Sequence, residues 1–406
     1  MTVHNAYPVE GDGVAFEQWE PHIRSFVCRT LHDDPVSGPL TGLTLGVKDI
    51  IDVAGVPTRN GSATCQDAPP AAQDAAVVAA LRASGARIVG KTVTTEFALT
   101  DPTECRNPYD LTRTPGGSSS GSGAAVAAGL VDMALGTQTA GSLCRPAAYC
   151  GVVGLKPTYG ALPMAGITPL ARSFDTVGVI ARSVAVARSG FLAMAGEQTT
   201  ADGPDLVATC MLMPGDVRPE PEMEAAFGAA SAALSDMMRV VNAPSVSVDP
   251  KAIVDAHRTV MHGEAAEAHG HLLSAAIVEL LRPRFRAALE AGAKLEADQI
   301  DAARRELARA AKVFWQAMDA VDIILTLPVP EGAPRLGDGT GFQDWLTPWT
   351  VFGGPLISLP WGLDRLGRPC AVMLAGKPGA DMLLLDVAAQ LERFQPELPP
   401  PNPPAG

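Results

Sequence analysis

Three side chains in this 406-residue chain have the type and setting to attack a carbonyl. Ser118 follows Gly116-Gly117, Ser142 follows Thr139-Ala140-Gly141, and Lys48 interrupts the apolar, strand-like stretch GLTLGVKDIIDV. A serine hydroxyl is a weak nucleophile at neutral pH, so it needs a base within hydrogen-bond reach and N–H donors aimed at the oxyanion that forms. The small residues ahead of Ser142 leave backbone N–H groups free to serve as those donors. Histidine, the usual base, is missing between positions 33 and 256. A lysine made neutral by burial can replace it. On the residues alone plainer roles stay open: a strand-end lysine on the surface for Lys48, and helix or turn caps for Ser118 and Ser142.

The setting of these residues is more specific than their types. GVKDIIDVAGVPTRNGS around Lys48, the GGSSSGSGAAVAAGLV run, and LGTQTAGSLCRPAAYCGVVGLKPTYG together resemble the amidase signature family. So do DAAVVAALRASGARIVGKTVTTEFA before them and AVDIILTLPVPEGAP and GGPLISLPWGLDRLGRPCAVML after them, a likeness running from about residue 40 to 394. The resemblance implies an amide hydrolase with Ser142 as nucleophile, Ser118 as bridging serine, joined to Gly117 by a cis peptide, and Lys48 as base. It also implies an oxyanion hole from the N–H groups of Thr139, Ala140, Gly141 and Ser142. No metal or cofactor is expected.

Where many members read Asp and Gly, this chain has Gln138 and Ala140, and its arginine stands three residues after the nucleophile, at Arg145, with Cys144 at the commoner arginine position. This wording is similar to the malonamidase branch, which implies that Arg145 holds a free carboxylate on a malonamate-like substrate. A guanidinium fork suits that task, although an ordinary ion pair is the plainer role for Arg145. Thr137 and Gln138 are expected to line the substrate site beside it. Two other functions share the motifs: a glutamine-hydrolysing subunit of a transamidation complex, and a catalytically silent binding protein. Gly117 to Gly121 also satisfies the G-x-S-x-G elbow of other hydrolases, but RNPYDLTRTP ahead of it holds two prolines and reads as loop rather than the strand that elbow needs.

The elements that must position these residues read as α/β. AFEQWEPHIRSFVC suggests a helix followed by a polar turn, and Leu43 to Val53 is strand-like. Asp74 is a plausible N-cap for a helix reaching Ala83, with Gly85 as stop and a strand at 86–89. A helix is expected from about Gly123, with Ser119, Ser120 and Ser122 as capping candidates, and a short helical turn at RPAAYC with Pro146 in its first position. The LPMAGITPLARSFDTVGVIARS segment resembles the family's piece that closes over the site. A helical section is expected at about 216–319, with Ile300, Ala303, Leu307, Ala311 and Phe314 on one face. Strands at 321–327 and 355–361 and a helix at 380–393 lead to a Pro-rich, flexible tail at 397–406. The expected architecture is one α/β/α domain over 1–396 around a central mixed sheet.

Composition excludes several functions. A net charge of −13, with no basic run, argues against a nucleic-acid partner. No uncharged apolar run reaches membrane-spanning length and the first residues lack signal-peptide character, so a cytoplasmic protein is expected, with a homodimer as the family's frequent assembly. Seven scattered cysteines read as reduced thiols packed as small hydrophobes, Cys144 among them as a wall of the site. His257, His262, His269 and His271 do not continue into HExxH and are expected as solvated helix-face residues, with contact to substrate left open.

Overall fold

The computed structural model describes residues 13–30, 36–196, 206–213 and 217–404. Most of the polar turn expected after the first helix, at 31–35, lies outside the described residues, as do the first twelve positions and the last two of the tail. Eleven strands form one mixed sheet: β1 (Phe26–Arg29), β2 (Thr44–Lys48), β3 (Arg87–Thr92), β4 (Met133–Gln138), β5 (Val153–Lys156), β6 (Thr176–Ala181), β7 (Val207–Cys210), β8 (Arg239–Val241), β9 (Ile323–Thr326), β10 (Leu356–Leu363) and β11 (Pro369–Gly376). Their order is β1-β3-β2-β4-β6-β5-β10-β11-β9-β7-β8. β2 runs parallel to both β3 and β4, with Val47 opposite Lys91 on one side and Leu135 on the other. The carboxyl ends of β2 and β4 therefore share an edge, and ligands of open α/β sheets bind beyond such edges.

Helices cover both faces. Successive strand residues point to opposite sides. Val179 of β6 and Met133 of β4 lie against Gly190 of the helix Val184–Ala195, whereas Ile180 and Gly136 face Ser119, at the cap of the helix Ser120–Ala127. Every residue of β4, β6 and β11 is buried, as expected for strands covered on both sides.

The helical section contains Pro221–Met237, Pro250–His269, Pro283–Gly292 and Ala297–Ala317. Three of these begin on proline, whose missing N–H would be unpaired there anyway. Ala303, Leu307 and Phe314 are buried as the spacing predicts, and Phe314 stacks on Phe352 with centroids 3.9 Å apart. The section is not purely helical, because β8 within it pairs with β7 and extends the sheet.

Several local expectations change. Asp74 does not cap the helix Ala76–Ala83; its carboxylate accepts from the Ala54 N–H at 2.8 Å and from Arg82. The serines at 119, 120 and 122 do not cap either. Ser120 donates to the Gly116 carbonyl and Ser122 to that of Leu135, lacing the glycine loop to β4. At the chain's end 397–404 is irregular, but the Tyr109 hydroxyl donates to the Pro399 carbonyl at 3.2 Å, so this tail is tied to the body.

Close approach sets the position of the serine-rich helix. A Cβ on Gly121 would lie 2.1 Å from the Ser25 carbonyl oxygen and 2.3 Å from the Val93 nitrogen, both backbone atoms that cannot swing away. Gly121→Ala should therefore destabilise the protein by at least 1–3 kcal/mol, the usual overpacking range. Denaturant unfolding measures this, and an unchanged midpoint would contradict the packing described.

Candidate active site

Lys48 ends β2 and is fully buried. Its Nζ lies 2.7 Å from Ser118 Oγ and 2.7 Å from Thr137 Oγ1. Both partners are hydroxyls, and among the described residues no carboxylate stands within ion-pair distance of this amine. The next residue, Asp49, is paired instead with Lys91 at 2.8 Å. Burial lowers the Lys48 pKa to about 7, with the Asp175 charge opposing that shift and Arg145 reinforcing it. The neutral amine is therefore well populated at neutral pH, because an ammonium would leave water without a counter-charge in contact.

Ser118 follows a cis peptide bond from Gly117, and its carbonyl accepts from the Thr95 N–H at 3.2 Å. Ser118 and Lys48 have no exposed surface, while Ser142 keeps 7%. The three are thus layered from a closed interior toward solvent. The Ser119 N–H donates to the Ser142 carbonyl at 3.3 Å, which joins the glycine loop to the Ser142 turn.

That turn leaves beta structure after Gln138 and enters the short helix Cys144–Tyr149. The N–H groups of Ala140, Gly141 and Ser142 have no acceptor among the described residues. Consecutive unpaired N–H groups in a buried turn are rare and form a cradle for an anionic oxygen. Carbonyl and side-chain contacts fix the cradle from behind. Thr350 donates to the Ala140 carbonyl, a ring nitrogen of His257 lies 2.8 Å from the Thr139 carbonyl, and the Thr139 hydroxyl donates to Asp175 at 2.5 Å.

Two residues expected to line the substrate site face inward instead. Gln138 is fully buried; its Oε1 accepts from the N–H groups of Leu143 and Cys144 at 3.1 and 3.0 Å, and its Nε2 donates to Thr350 at 3.0 Å. It caps the turn through space, the plainer role that stayed open for Ser142, and Pro146 falls in the third helical position rather than the first. Thr137 uses its hydroxyl on Lys48. Arg145 is also fully buried. Its Nη2 donates to the Gly117 carbonyl at 2.6 Å and to Thr340 at 3.2 Å, while Nε and Nη1 have no protein partner. Burial lowers its pKa to about 10, so it stays charged at neutral pH. Cys144 is walled in, its thiol pushed up to about 12 by burial.

Sequence reasoning missed Asp175 and misplaced His257. Burial raises Asp175 to about 6, against the Thr139 hydroxyl and the N–H groups of Leu170 and Ala171 that favour its charge. His257 is not a solvated helix-face residue; it is 3% exposed, packs on Phe174 at 4.3 Å, and burial lowers its pKa to about 4. His269 is likewise buried against Phe97, with a ring nitrogen 2.7 Å from the Pro169 carbonyl, whereas His262 is half-buried and His271 exposed. The FDT of the closing segment was the available signal for Asp175; none existed for His257, whose role depends on where its helix docks. Among the described residues no three or more His, Cys, Asp or Glu gather as they would around a metal ion.

Two outcomes follow from the bracing. Gln138→Leu leaves two buried N–H groups unpaired and should cost about 2–4 kcal/mol, read as a lowered unfolding midpoint. His257 is neutral when folded and charges more readily when unfolded, so its contribution is complete above its ordinary pKa and is lost as pH falls toward 4. Relative to His257→Gln, which keeps an amide at the Thr139 carbonyl, the wild type should lose on the order of 3 kcal/mol between pH 7 and 4. Parallel pH-stability curves for the two proteins would contradict this.

Known proteins share this architecture. The family model described as Amidase matches residues 29–385. Over 422 aligned residues the chain is 33% identical to the glutamyl-tRNA(Gln) amidotransferase A subunit of Anaeromyxobacter sp. (strain K), covering 90% of this chain and 85% of that one. A crystal structure of an amidase superposes with a TM-score of 0.81 at 32% identity, over 89% of this chain and 86% of the other. The 6-aminohexanoate cyclic dimer hydrolase superposes with a TM-score of 0.84 at 27% identity, over 96% and 93%. These likenesses are to the family as a whole and do not single out its malonamidase branch. The matched span contains strands β2 to β11, the glycine loop and the Ser142 turn described above, and the chain belongs to the amidase signature family of amide hydrolases.

Proposed function

We propose that this protein hydrolyses a small, carboxylate-bearing, malonamate-like amide to its acid and ammonia, with Ser142 as nucleophile, Ser118 as relay and Lys48 as base. The observation that carries this reading is the buried Lys48 amine in contact with two hydroxyls. A neutral amine donates to Thr137 and offers its lone pair to the Ser118 proton. Ser142 Oγ attacks the amide carbonyl while its proton moves to Ser118 and the Ser118 proton to Lys48. The oxyanion is received by the N–H groups of Ala140, Gly141 and Ser142, with Thr139 at the edge of the cradle; one such donor is typically worth ~3 kcal/mol. The proton returns through Ser118 to the departing nitrogen, the C–N bond breaks and ammonia leaves. Water, deprotonated along the same path, then releases the acid from the acyl-enzyme.

Arg145 supports the carboxylate part of the reading. It is a charged group with no exposed surface and two donors that the protein leaves unpaired, a costly arrangement unless an anion answers it. The relative that belongs to a transamidation complex favours a second reading, in which the chain hydrolyses glutamine for a partner. Ammonia release from malonamate by the purified chain alone supports the first reading, and release only from glutamine with partner proteins present supports the second.

Lys48→Met should lower kcat by at least ~10²-fold without lowering the unfolding midpoint at pH 7, and full activity in that variant would remove the base assignment. In the wild type kcat/KM should rise with pH through about 7, as the ammonium loses its proton. Asp175→Asn removes a charge that favours the ammonium, so this limb should move to lower pH. Arg145→Met should raise KM for malonamate while sparing butyramide, and equal losses on both would exclude the carboxylate role.

A further inference from the structure

The carbonyl and the hydroxyl of Thr139, the residue that opens the Ser142 turn, are both referred to one helix, Pro250–His269. The first link is direct, through the ring nitrogen of His257 that lies 2.8 Å from the Thr139 carbonyl. The second link runs through the segment before β6. The Thr139 hydroxyl donates to Asp175, and two residues earlier the Ser173 N–H donates at 2.9 Å to Glu264, which stands two helical turns beyond His257 on the same face. The Ser173 hydroxyl donates to the other oxygen of that carboxylate. Between these contacts the segment is closed on itself. Asp175 Oδ2 accepts from the N–H groups of Leu170 and Ala171 at 2.8 and 3.0 Å, and the Ala171 carbonyl accepts from those of Phe174 and Asp175 at 3.0 and 2.9 Å. What seats Ser173 therefore also seats the carboxylate that holds Thr139.

The helix is a firm reference because its far side is pinned by close approach. A Cβ on Gly263 would lie 2.6 Å from Ile300 Cδ1, and one on Gly292 would lie 1.9 Å from the His262 carbonyl oxygen. One turn after Ile300, on the helix Ala297–Ala317, Arg304 Nη2 donates to Glu264 at 2.8 Å. Burial works against the charge of Glu264, but Arg304 and Ser173 outweigh it and hold its carboxyl below the usual range. Buried ion pairs often add no net stability over apolar packing. What this one fixes is position, since its three donors come from the neighbouring helix and from the segment that carries Asp175.

We propose that Glu264 is a positioning residue of the active site: held by Arg304, it seats Ser173 and through it Asp175 and Thr139, and so sets the direction of the Ala140, Gly141 and Ser142 N–H groups. The inference rests on the reading of Ser142 as nucleophile and of these N–H groups as its oxyanion donors. Glu264 touches none of the reacting groups. Its effect is on aim, and a misplacement of ~1 Å at a reacting group can cost on the order of 10²-fold in rate.

The test needs no knowledge of the natural amide. A fluorophosphonate phosphonylates an activated serine with loss of fluoride, and its phosphoryl oxygen gains the charge that the turn receives. The second-order rate of labelling is followed by intact mass, with the labelled residue identified by peptide mass, in the wild type, Glu264→Gln, Ser173→Ala and Thr139→Val, and in each of the first two substitutions combined with Thr139→Val. Thr139→Val keeps the backbone N–H but cuts the link to Asp175. Glu264→Gln should slow labelling of Ser142 tenfold or more, and should change the rate less than twofold once the Thr139 hydroxyl is gone. Ser173→Ala, at a half-buried position that keeps its N–H donor, should slow labelling at least threefold, lose that effect beside Thr139→Val, and carry the test if Glu264→Gln does not fold. A lowered melting temperature with an unchanged labelling rate overturns the inference and leaves the nucleophile reading intact. So does the same slowing with and without the Thr139 hydroxyl. A wild type that the probe does not label at Ser142 overturns the nucleophile reading, and the inference with it.

Discussion

The structure depends on keeping one lysine dry without giving it a counter-ion in contact. Lys48 stands at the end of a central strand, with Asp49 drawn away by Lys91 and only the hydroxyls of Ser118 and Thr137 against its amine. A carboxylate at either position would stabilise the ammonium and hold the lysine in a structural ion pair. Placing the lysine on β2, between parallel neighbours, achieves the opposite. The strands exclude water, and the hydroxyls satisfy the amine's hydrogen bonds while adding no charge.

The same economy of charge shapes the Ser142 turn. Its carbonyls and side chains are anchored to Thr350, His257, Asp175 and Gln138, so its N–H groups can point inward without collapsing onto a nearby acceptor. The anchors come from four different segments of the chain. His257 holds its place as a neutral ring because it is buried against Phe174, and in that form it can donate to the Thr139 carbonyl without adding a second charge near Lys48. The turn is thus fixed through its carbonyls and side chains, and donors held in place beforehand are the kind that stabilise charge effectively.

Small residues serve this design through distance. Gly117 lets Thr340 approach, and Gly121 lets the serine helix press on Ser25 and Val93. Serine hydroxyls at 119, 120 and 122 then lace the loop to β4 and to itself, a use that capping rules do not anticipate.

By itself the sequence determined the family, the α/β alternation, and the helical face of Leu307 and Phe314. Each is written in local spacing: apolar periodicity, glycine before serine, a lone lysine in an apolar strand. It did not determine the partners of Gln138 and Thr137, the burial of His257 and His269, or the short strands β1, β7 and β8. Those depend on which surface a helix docks against and which strand edge is left open, and several such contacts join distant residues, as His257 joins Thr139 and Gln138 joins Thr350. Local pattern records what a segment can form. Only packing decides which of its polar atoms remain for chemistry.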